Sequence, residues 1–108
     1  MATVKELMEQ AQQKIEQNKA QASALGAVYK FVLAGDGGGT FLIDLTDNPG
    51  VTEADGAAQC TITMAAADFV DMIENRGDAR QFFFMGKLKI DGNMGLAIKL
   101  RKVSEMFR

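Results

Sequence analysis

The spacing of apolar residues changes period several times along this chain, and these changes restrict the choice of fold class. Apolar side chains recur every three or four positions from Val4 to about Gln21, but at every second position from Ala27. The first spacing is typical of an amphipathic helix, and the second of a strand with one buried face. Helical spacing returns around Phe69 and strand spacing near Leu88, and a helical stripe ends the chain. This order predicts an α+β domain, with helices covering a largely antiparallel sheet.

Turn residues and helix caps place the boundaries of these elements. Thr3 and Glu6 have the spacing of a capping box, and Asp78 can cap a short helix that Gly86 ends. The helix with Phe69, Met72 and Ile73 on its inner stripe is expected to end at Arg76-Gly77. The predicted strands cover residues 27–34, 40–46, 51–54, 58–64 and 87–91, and the predicted helices cover residues 4–21, 68–74, 79–85 and 96–107.

Length and composition indicate one domain, residues 1–108, built around a single core. A chain of 108 residues with 47% hydrophobic content needs neither disulfides nor a metal to fold. It contains no apolar run near the roughly 18 residues of a membrane-spanning helix. The first six residues run directly into an amphipathic pattern, without the apolar segment of a secretory signal. We therefore expect a cytoplasmic protein.

Residues that commonly carry catalysis are scarce in this chain. It has no histidine, and so lacks the usual general base near neutral pH and the commonest zinc ligand. Its one cysteine, Cys60, falls on the inward row of a predicted strand, where a thiol behaves as a small buried apolar group. Most carboxylates occupy polar positions of the predicted strands and helices, where contact with solvent gives them no special reactivity as acids or bases. The sequence thus predicts no enzyme activity, metal or cofactor.

Charge is unevenly distributed, although the net charge is only -2. Residues 36–79 contain nine acidic side chains against Arg76, whereas residues 87–108 contain six basic ones against Asp91 and Glu105. The basic segment can attract an anionic head group or a membrane surface, and it is equally compatible with a solvated helix face. We predict transient membrane contact at most, and no nucleic-acid partner.

The glycine-rich residues 35–39 do not match a nucleotide-binding loop. Such a loop follows a strand, precedes a helix and ends in Gly-Lys-Ser/Thr. Here Thr40 follows the last glycine, and a predicted strand follows Thr40. The cluster is interpreted as a hairpin turn.

Three consecutive phenylalanines, Phe82 to Phe84, require more than one apolar environment. At about 100° per residue, three neighbours on a helix cannot all face one core. Together with Met85 and the nearby Met94, they form a cluster that adapts to ligands of varied shape. A helix enclosed by protein on several sides explains the same pattern.

Residues 92–95, Gly-Asn-Met-Gly, open the last predicted helix with two glycines. Free backbone amides at this point can receive a head group, with Lys87, Lys89 and Lys99 near in sequence. A plain turn accounts for the glycines equally well.

Several segments, taken in order, resemble the sterol carrier protein type-two family. They are Cys60-Thr61-Ile62-Thr63-Met64, Asp68-Phe69, Phe82-Phe83, Gly86-Lys87-Leu88-Lys89-Ile90 and Gly92-Asn93-Met94-Gly95-Leu96-Ala97. The resemblance extends from the first strand to Leu100, and the opening helix agrees in character more than in letters. It implies a twisted, mostly antiparallel sheet of about five strands and an apolar tunnel between sheet and helices. It also implies a non-enzymatic carrier that binds and transfers fatty acids, fatty acyl-coenzyme A, sterols or phospholipids.

Carried over by position, the resemblance implies a lipid tunnel with a helical wall and a sheet wall. The helical wall contains Phe82, Phe83, Met85, Met94, Leu96, Ala97 and Leu100. Strand alternation assigns to the sheet side Phe31, Leu33, Phe41, Ile43, Ile62 and Met64, with Phe69, Met72 and Ile73 nearby. Some of these side chains are expected to be ordinary core.

Two departures from the family pattern bear on location and on head-group preference. Peroxisomal members end in a tripeptide such as Ser-Lys-Leu, whereas this sequence ends in Met106-Phe107-Arg108, so a peroxisomal location is not predicted. Met85 stands where relatives often carry glutamine before Gly-Lys-Leu-Lys-Ile, which favours a pocket for apolar tails.

Two other function classes stay open beside a lipid carrier that acts alone. An accessory domain would present acyl-coenzyme A to a partner lipid-oxidation enzyme, since the same fold occurs fused to such enzymes in the family. A protein-interaction domain would bind no lipid at all.

Overall fold

The computed structural model describes residues 2–75 and 77–107, which form a five-stranded mixed sheet with helices packed on one face. The strands are β1 Ala27–Ala34, β2 Gly39–Leu45, β3 Gly50–Glu53, β4 Cys60–Ala65 and β5 Leu88–Gly92. The helices are α1 Val4–Gln17, α2 Lys19–Ser23, α3 Ala66–Glu74, α4 Ala79–Phe84, α5 Met94–Ile98 and α6 Leu100–Glu105. The predicted α+β class is confirmed. The helix end predicted at Arg76 lies outside the described residues.

The strand order in the sheet is β3-β2-β1-β4-β5. The β1–β2, β2–β3 and β4–β5 pairs are antiparallel, and the central β1–β4 pair is parallel. The hairpin predicted around residues 35–39 is confirmed, because Ala27 at the start of β1 pairs with Leu45 at the end of β2. The sheet is therefore mostly antiparallel, as the sequence predicts.

The core lies between one face of the sheet and the helices. Buried residues alternate with partly exposed ones along β1, β2 and β4, so one face of each strand is turned inward. On this face the Phe31 ring meets Phe69 of α3 and Phe107 after α6 edge-on, with both centroid distances 5.7 Å. Aromatic rings prefer such edge-to-face contacts. This three-ring cluster fills the centre of the core.

Helix α1 begins at the predicted capping box and packs against the edge strand β3. The Thr3 hydroxyl accepts from the Glu6 amide at 3.2 Å, and the Glu6 carboxylate accepts from the Thr3 amide at 3.1 Å. The Val51 amide of β3 donates to the Gln12 side chain at 2.6 Å. This last bond occupies an edge-strand amide that would otherwise face water.

Two predicted helices are each divided in the structure. The opening helix, predicted to continue to Gln21, ends at Gln17, because Asn18 leaves helical geometry and its side chain donates to the Lys14 carbonyl at 3.2 Å. Asparagine commonly ends helices by bonding to nearby backbone in this way. The final predicted helix is interrupted at Lys99, which separates α5 from α6.

The remaining boundaries differ from the predicted ones by one or two residues. Strand β3 covers Gly50–Glu53 instead of 51–54, and β4 begins at Cys60 instead of Ala58. Helix α4 ends at Phe84, with Met85 as its C-cap. Shifts of this size are usual at element ends, where the last turn or ladder bond is weakest.

Candidate functional site

An open cleft of about 850 Å³ lies between helices α4, α5 and α6 and the edge strand β5. Pockets of roughly 300–1,000 Å³ are typical of sites for small organic ligands. The apolar lining residues are Ala79, Phe83, Phe84, Ile90, Met94, Ala97, Ile98 and Leu100. The other lining residues are Gly77, Asp78, Arg80, Arg101, Ser104 and Glu105. Apolar side chains from three helices thus converge on one space.

The three phenylalanines of α4 point in three directions. Phe82 is buried at 8% exposure, Phe83 is 42% exposed and Phe84 is 83% exposed. Phe83 and Phe84 line the cleft with their ring centroids 5.7 Å apart, whereas Phe82 joins the core. A helix rotates about 100° per residue, so this division follows from the sequence, as predicted.

Helix α5 is held in place by a cap and by one buried hydrogen bond. The Asn93 side chain accepts from the amides of Gly95 at 2.8 Å and Leu96 at 3.3 Å. These two amides are therefore occupied by the Asn93 side chain, a cap that was not predicted from the sequence, and are not free for a head group. The Tyr29 hydroxyl donates to the Leu96 carbonyl at 2.6 Å, which ties α5 to the centre of the sheet.

The outer side of α5 presents apolar side chains to solvent. Met94 is 59% exposed and Ile98 is 82% exposed, and both line the cleft. Leu96 and Ala97 are half-buried and pack against the core. Helix α5 therefore uses one side to close the core, and its other side is exposed among the residues that the structure describes.

Charged side chains border the cleft beside its apolar wall. Arg80 and Asp78 form an ion pair with a nitrogen-oxygen distance of 2.9 Å. Hydrogen bonds from the Arg80 side chain and backbone hold the pKa of Asp78 below its ordinary value, and the charge of Arg101 lowers it further. Asp78 consequently stays ionised at neutral pH and cannot serve there as a proton donor.

The described residues offer little for covalent chemistry or metal binding. Within residues 2–75 and 77–107, no three His, Cys, Asp or Glu side chains are grouped to hold a metal ion. The Cys60 thiol is fully buried, and desolvation raises its pKa, so it stays protonated, in line with the buried thiol predicted from the sequence. None of the helices described is long and apolar enough to cross a bilayer.

The structure separates the predicted lipid-binding residues into two groups. Phe83, Met94, Ala97 and Leu100 line the cleft, whereas Leu96 packs against the core and does not line the cleft. The sheet-side group is buried in the packed core together with Phe82, and consists of Phe31, Leu33, Phe41, Ile43, Ile62, Met64, Phe69, Met72 and Ile73. Met85 is exposed beyond the cleft lining. The described residues form an open cleft, and the enclosed tunnel implied by the resemblance is not shown.

Several cleft residues were not among the predicted ones. Phe84 was recognisable from the triple phenylalanine, which demanded a second apolar environment. Ile98 lies off the apolar stripe of the last predicted helix. An isoleucine in such a position indicates that the helix has a second apolar surface besides the one that faces the core. Arg80 and Arg101 give no local signal, since their proximity depends on how α4 and α6 pack.

A second, smaller depression of about 520 Å³ lies between the α1–α2 region and the C-terminal helices. Lys14, Lys99 and Lys102 border it. Of the three lysines considered for a head group at residues 92–95, Lys99 faces this depression, whereas Lys87 and Lys89 line neither space.

Comparison with known proteins assigns the chain to one family. The family model of the SCP-2 sterol transfer family matches residues 4–105. Human sterol carrier protein 2 is 34% identical over 103 residues, covering 90% of this chain and 19% of the relative. Bovine hydroxysteroid dehydrogenase-like protein 2 is 43% identical over 83 residues, covering 74% of this chain and 20% of the relative. The chain thus spans about a fifth of the length of these relatives.

A solved structure shows the same fold. The solution structure of Aedes aegypti sterol carrier protein 2 in complex with the C16 fatty acid palmitate superposes with a TM-score of 0.76. It is 22% identical in sequence, and the match covers 95% of this chain and 94% of the mosquito protein.

Proposed function

The chain belongs to the SCP-2 sterol transfer family, and we propose that it is a non-enzymatic carrier that binds a lipid and transfers it. Fatty acids, fatty acyl-coenzyme A, sterols and phospholipids are the proposed ligands. The observation that carries the proposal is the open cleft, where Phe83, Met94 and Ile98 stay partly or largely exposed. The palmitate complex of the mosquito relative, which shares this fold, supports a fatty acid as one ligand.

Apolar burial provides enough free energy for such binding. Each methylene removed from water contributes about 0.8 kcal/mol, so a sixteen-carbon chain makes roughly 12 kcal/mol available before association and ordering are subtracted. Most of this energy is independent of the head group. A carrier that binds through the alkyl chain is therefore expected to accept several lipid classes.

The chemistry of the cleft border supports a carrier over an enzyme. Asp78 is ionised and paired with Arg80, and Cys60 is protonated and buried away from the cleft. A general acid would need a raised carboxyl pKa and an activated cysteine a lowered thiol pKa, and the pKa shifts of these two groups run in the opposite directions.

Replacing Phe83 with Asp tests the placement of the ligand. Phe83→Asp puts a carboxylate against the alkyl chain, and an unpaired charge in an apolar contact is strongly unfavourable. We expect the affinity for a fluorescent fatty acid to fall on the order of a hundredfold, which corresponds to about 2.7 kcal/mol. Gln81→Asp is the matched control, because Gln81 is exposed on the same helix and does not line the cleft.

Three outcomes of these assays argue against parts of the proposal. Unchanged affinity in a folded Phe83→Asp variant would place the ligand elsewhere. Binding without unaided transfer of the fluorescent fatty acid between vesicles would favour an accessory domain that serves a partner enzyme. If native mass spectrometry of protein purified from cells shows no lipid, and added fatty acid does not bind, the carrier proposal is wrong.

A further inference from the structure

We propose that Arg101 and Ser104 of α6 form a binding site, here called the head-group site, for the carboxylate of a fatty acid whose alkyl chain lies in the cleft. Both side chains line the cleft. The inference rests on the proposed carrier function, since it concerns one end of the ligand that the carrier would hold. It adds the residues that contact the polar end of that ligand and the ligand class that they prefer.

The part of the cleft lining that comes from the last two helices changes from apolar to polar along the chain. Met94, Ala97 and Ile98 of α5 contribute apolar side chains, whereas Arg101 and Ser104 of α6 contribute polar ones. Arg101 and Ser104 are three residues apart within one helix, so they are neighbours on the same face of α6. A fatty acid has the same division between an apolar tail and a polar head, and it can match both parts of the lining.

The Ser104 hydroxyl is a buried donor that has no partner within the described residues. Ser104 is 7% exposed, and its backbone carbonyl accepts from the Phe107 amide at 3.1 Å. Its hydroxyl forms no hydrogen bond with residues 2–75 or 77–107. None of the side-chain nitrogen or oxygen atoms in these residues is both unpaired and closed off from solvent, so the hydroxyl is reachable from the cleft. Buried polar groups are nearly always hydrogen-bonded, and an acceptor on a ligand would complete this one.

The Arg101 guanidinium is a cation at the cleft that stays available to a ligand. Arg101 is exposed and lies close enough to Asp78 for its charge to act on that carboxylate. Its side chain nevertheless forms no ion pair or hydrogen bond with the residues that the structure describes. Arg80, by contrast, is paired with Asp78 at 2.9 Å. The planar guanidinium of Arg101 can therefore receive a carboxylate, which it binds through two parallel hydrogen bonds.

The charges of the cleft lining favour a ligand with a single negative charge. Among the described lining residues, Arg80 and Arg101 are basic and Asp78 and Glu105 are acidic, so the formal charge is zero. A carboxylate carries one charge, which the Arg101 guanidinium matches. A phosphate monoester carries about -1.5 to -2 at neutral pH and would be repelled more strongly by the two acidic side chains. A sterol or an ester carries no charge and would leave Arg101 without an ionic partner.

The contribution of the head-group site to affinity should be moderate, because Arg101 is exposed to water. Solvent screens an ion pair in such a position. A charge-assisted hydrogen bond there should raise the affinity roughly five- to tenfold. The alkyl chain still provides most of the binding free energy, so neutral lipids would bind as well, but less tightly.

The first experiment compares laurate with dodecanol, which have the same alkyl chain but differ in the charge of the head group. Displacement of a fluorescent fatty acid in the absence of vesicles measures both affinities. Arg101→Gln should weaken laurate binding roughly five- to tenfold and leave dodecanol binding unchanged. Lys102→Gln is the matched control and should keep both affinities, because it removes the same charge from an exposed neighbour on α6 that does not line the cleft.

A second substitution tests the other member of the site. Ser104→Ala removes only the hydroxyl and places a good helix former in α6, so the fold should be retained. We expect laurate binding to weaken by about threefold through the loss of one hydrogen bond. Ser23→Ala is the control, because Ser23 lies on α2 and does not line the cleft.

A third experiment determines the orientation of the ligand. Two stearate derivatives carry a nitroxide, one next to the carboxyl group and the other near the end of the tail, and each broadens the NMR signals of nearby nuclei. The derivative labelled next to the carboxyl group should broaden the backbone amide signals of Arg101 and Ser104 more than that of Met94. The derivative labelled on the tail should show the reverse.

The outcomes separate the head-group site from the proposed function. If the fluorescent fatty acid does not bind to the unaltered chain, the carrier proposal is wrong and this inference is wrong with it. If laurate and dodecanol both bind, but Arg101→Gln weakens both equally, weakens neither or acts no differently from Lys102→Gln, only the head-group site is wrong. A reversed orientation, or an unchanged laurate affinity in Ser104→Ala, would also overturn the site. Dodecyl phosphate that binds more tightly than laurate and depends more on Arg101 would assign the site to lipid phosphates and overturn the preference for a carboxylate.

Discussion

The Tyr29 hydroxyl lies inside the apolar core, where it donates to the Leu96 carbonyl of α5 at 2.6 Å. The tyrosine is fully buried, and desolvation raises its pKa from 10.0 to about 12, with a smaller contribution from the nearby Cys60 thiol. An ionised phenolate would lose the proton that bonds α5 to the sheet. The protonation of this one residue therefore influences an element that borders the cleft.

Tyr29 should make the protein less stable in strong base. The unfolded tyrosine ionises near pH 10 and the folded one near pH 12, so over this interval the folded state retains a proton that the unfolded state has released. The contribution of Tyr29 is complete below pH 10 and falls as the pH rises to 12, by on the order of 2–3 kcal/mol. Denaturant unfolding at stepped pH measures this slope, and Tyr29→Phe should flatten it. Identical slopes for the two proteins would contradict the prediction.

Gly92 and Gly86 both have positive φ, but their surroundings differ. A Cβ at Gly92, with φ of +106°, would lie 2.3 Å from the backbone oxygen of Gln59, whereas a Cβ at Gly86, with φ of +75°, meets nothing within 4 Å. Gly86→Ala should reduce the free energy of unfolding by about 1–2 kcal/mol through backbone strain alone. Gly92→Ala should reduce it by roughly 3 kcal/mol or more, because backbone must shift. Thermal unfolding compares the two variants, and equal losses would show that the close contact is easily relieved.

Residue positions were predictable from sequence where they depend on a local period. The alternation in β1 and β4 places Phe31 and Cys60 on the inner face, and both are buried there. The bond between Tyr29 and Leu96 joins residues 67 positions apart, and no local pattern marks it. Buried polar groups find partners through the fold as a whole, so their pairing becomes visible only in the structure.

Among the elements, α5 is short and depends on its cap. It contains five residues, and the Asn93 side chain occupies two of its first amides. Asn93→Ala should cost about 1 kcal/mol in unfolding free energy and weaken fatty-acid binding, because Met94 and Ala97 lose a fixed position at the cleft. Asn93→Asp is the control, since it retains a capping oxygen and should keep most of both properties. Calorimetry measures the stability of both variants, and ligand titration measures their affinity for a fatty acid. Full affinity in Asn93→Ala would show that the cap does not influence binding in the cleft.

The elements themselves were largely predictable, but the breaks within helices were not. Leu96, Leu100, Val103 and Phe107 keep helical spacing across the interruption at Lys99, so the apolar stripe gives no sign of it. The break at Asn18 was partly visible, because asparagine favours helix ends. The period of the apolar residues indicates which side of an element is buried. Whether the element is continuous depends on hydrogen bonds and packing at particular residues.

At the scale of the whole molecule, the fold class was predictable from the sequence, but the arrangement of the elements was not. Periodicity indicated strands and helices, but the central parallel β1–β4 pair depends on contacts between residues about 30 positions apart. The same holds for the cleft, which α4, α5, α6 and β5 form together. The sheet-side residues predicted for a lipid tunnel are buried in the core, which also contains the ring cluster of Phe31, Phe69 and Phe107. Their contact with a ligand stays a prediction.

The volume of the cleft predicts how stability should depend on the length of a bound fatty acid. A ligand that binds only the folded state stabilises it by about 2.7 kcal/mol at a hundredfold excess over Kd, which raises Tm by on the order of 10 °C in a domain of this size. At one fixed ligand concentration below micelle formation, the rise in Tm should increase with each added methylene until the cleft of about 850 Å³ is full, and then level off. Differential scanning calorimetry with saturated acids of increasing length measures this series, and Phe83→Asp should flatten it. A Tm that does not depend on chain length would mean that the alkyl chain lies outside the cleft.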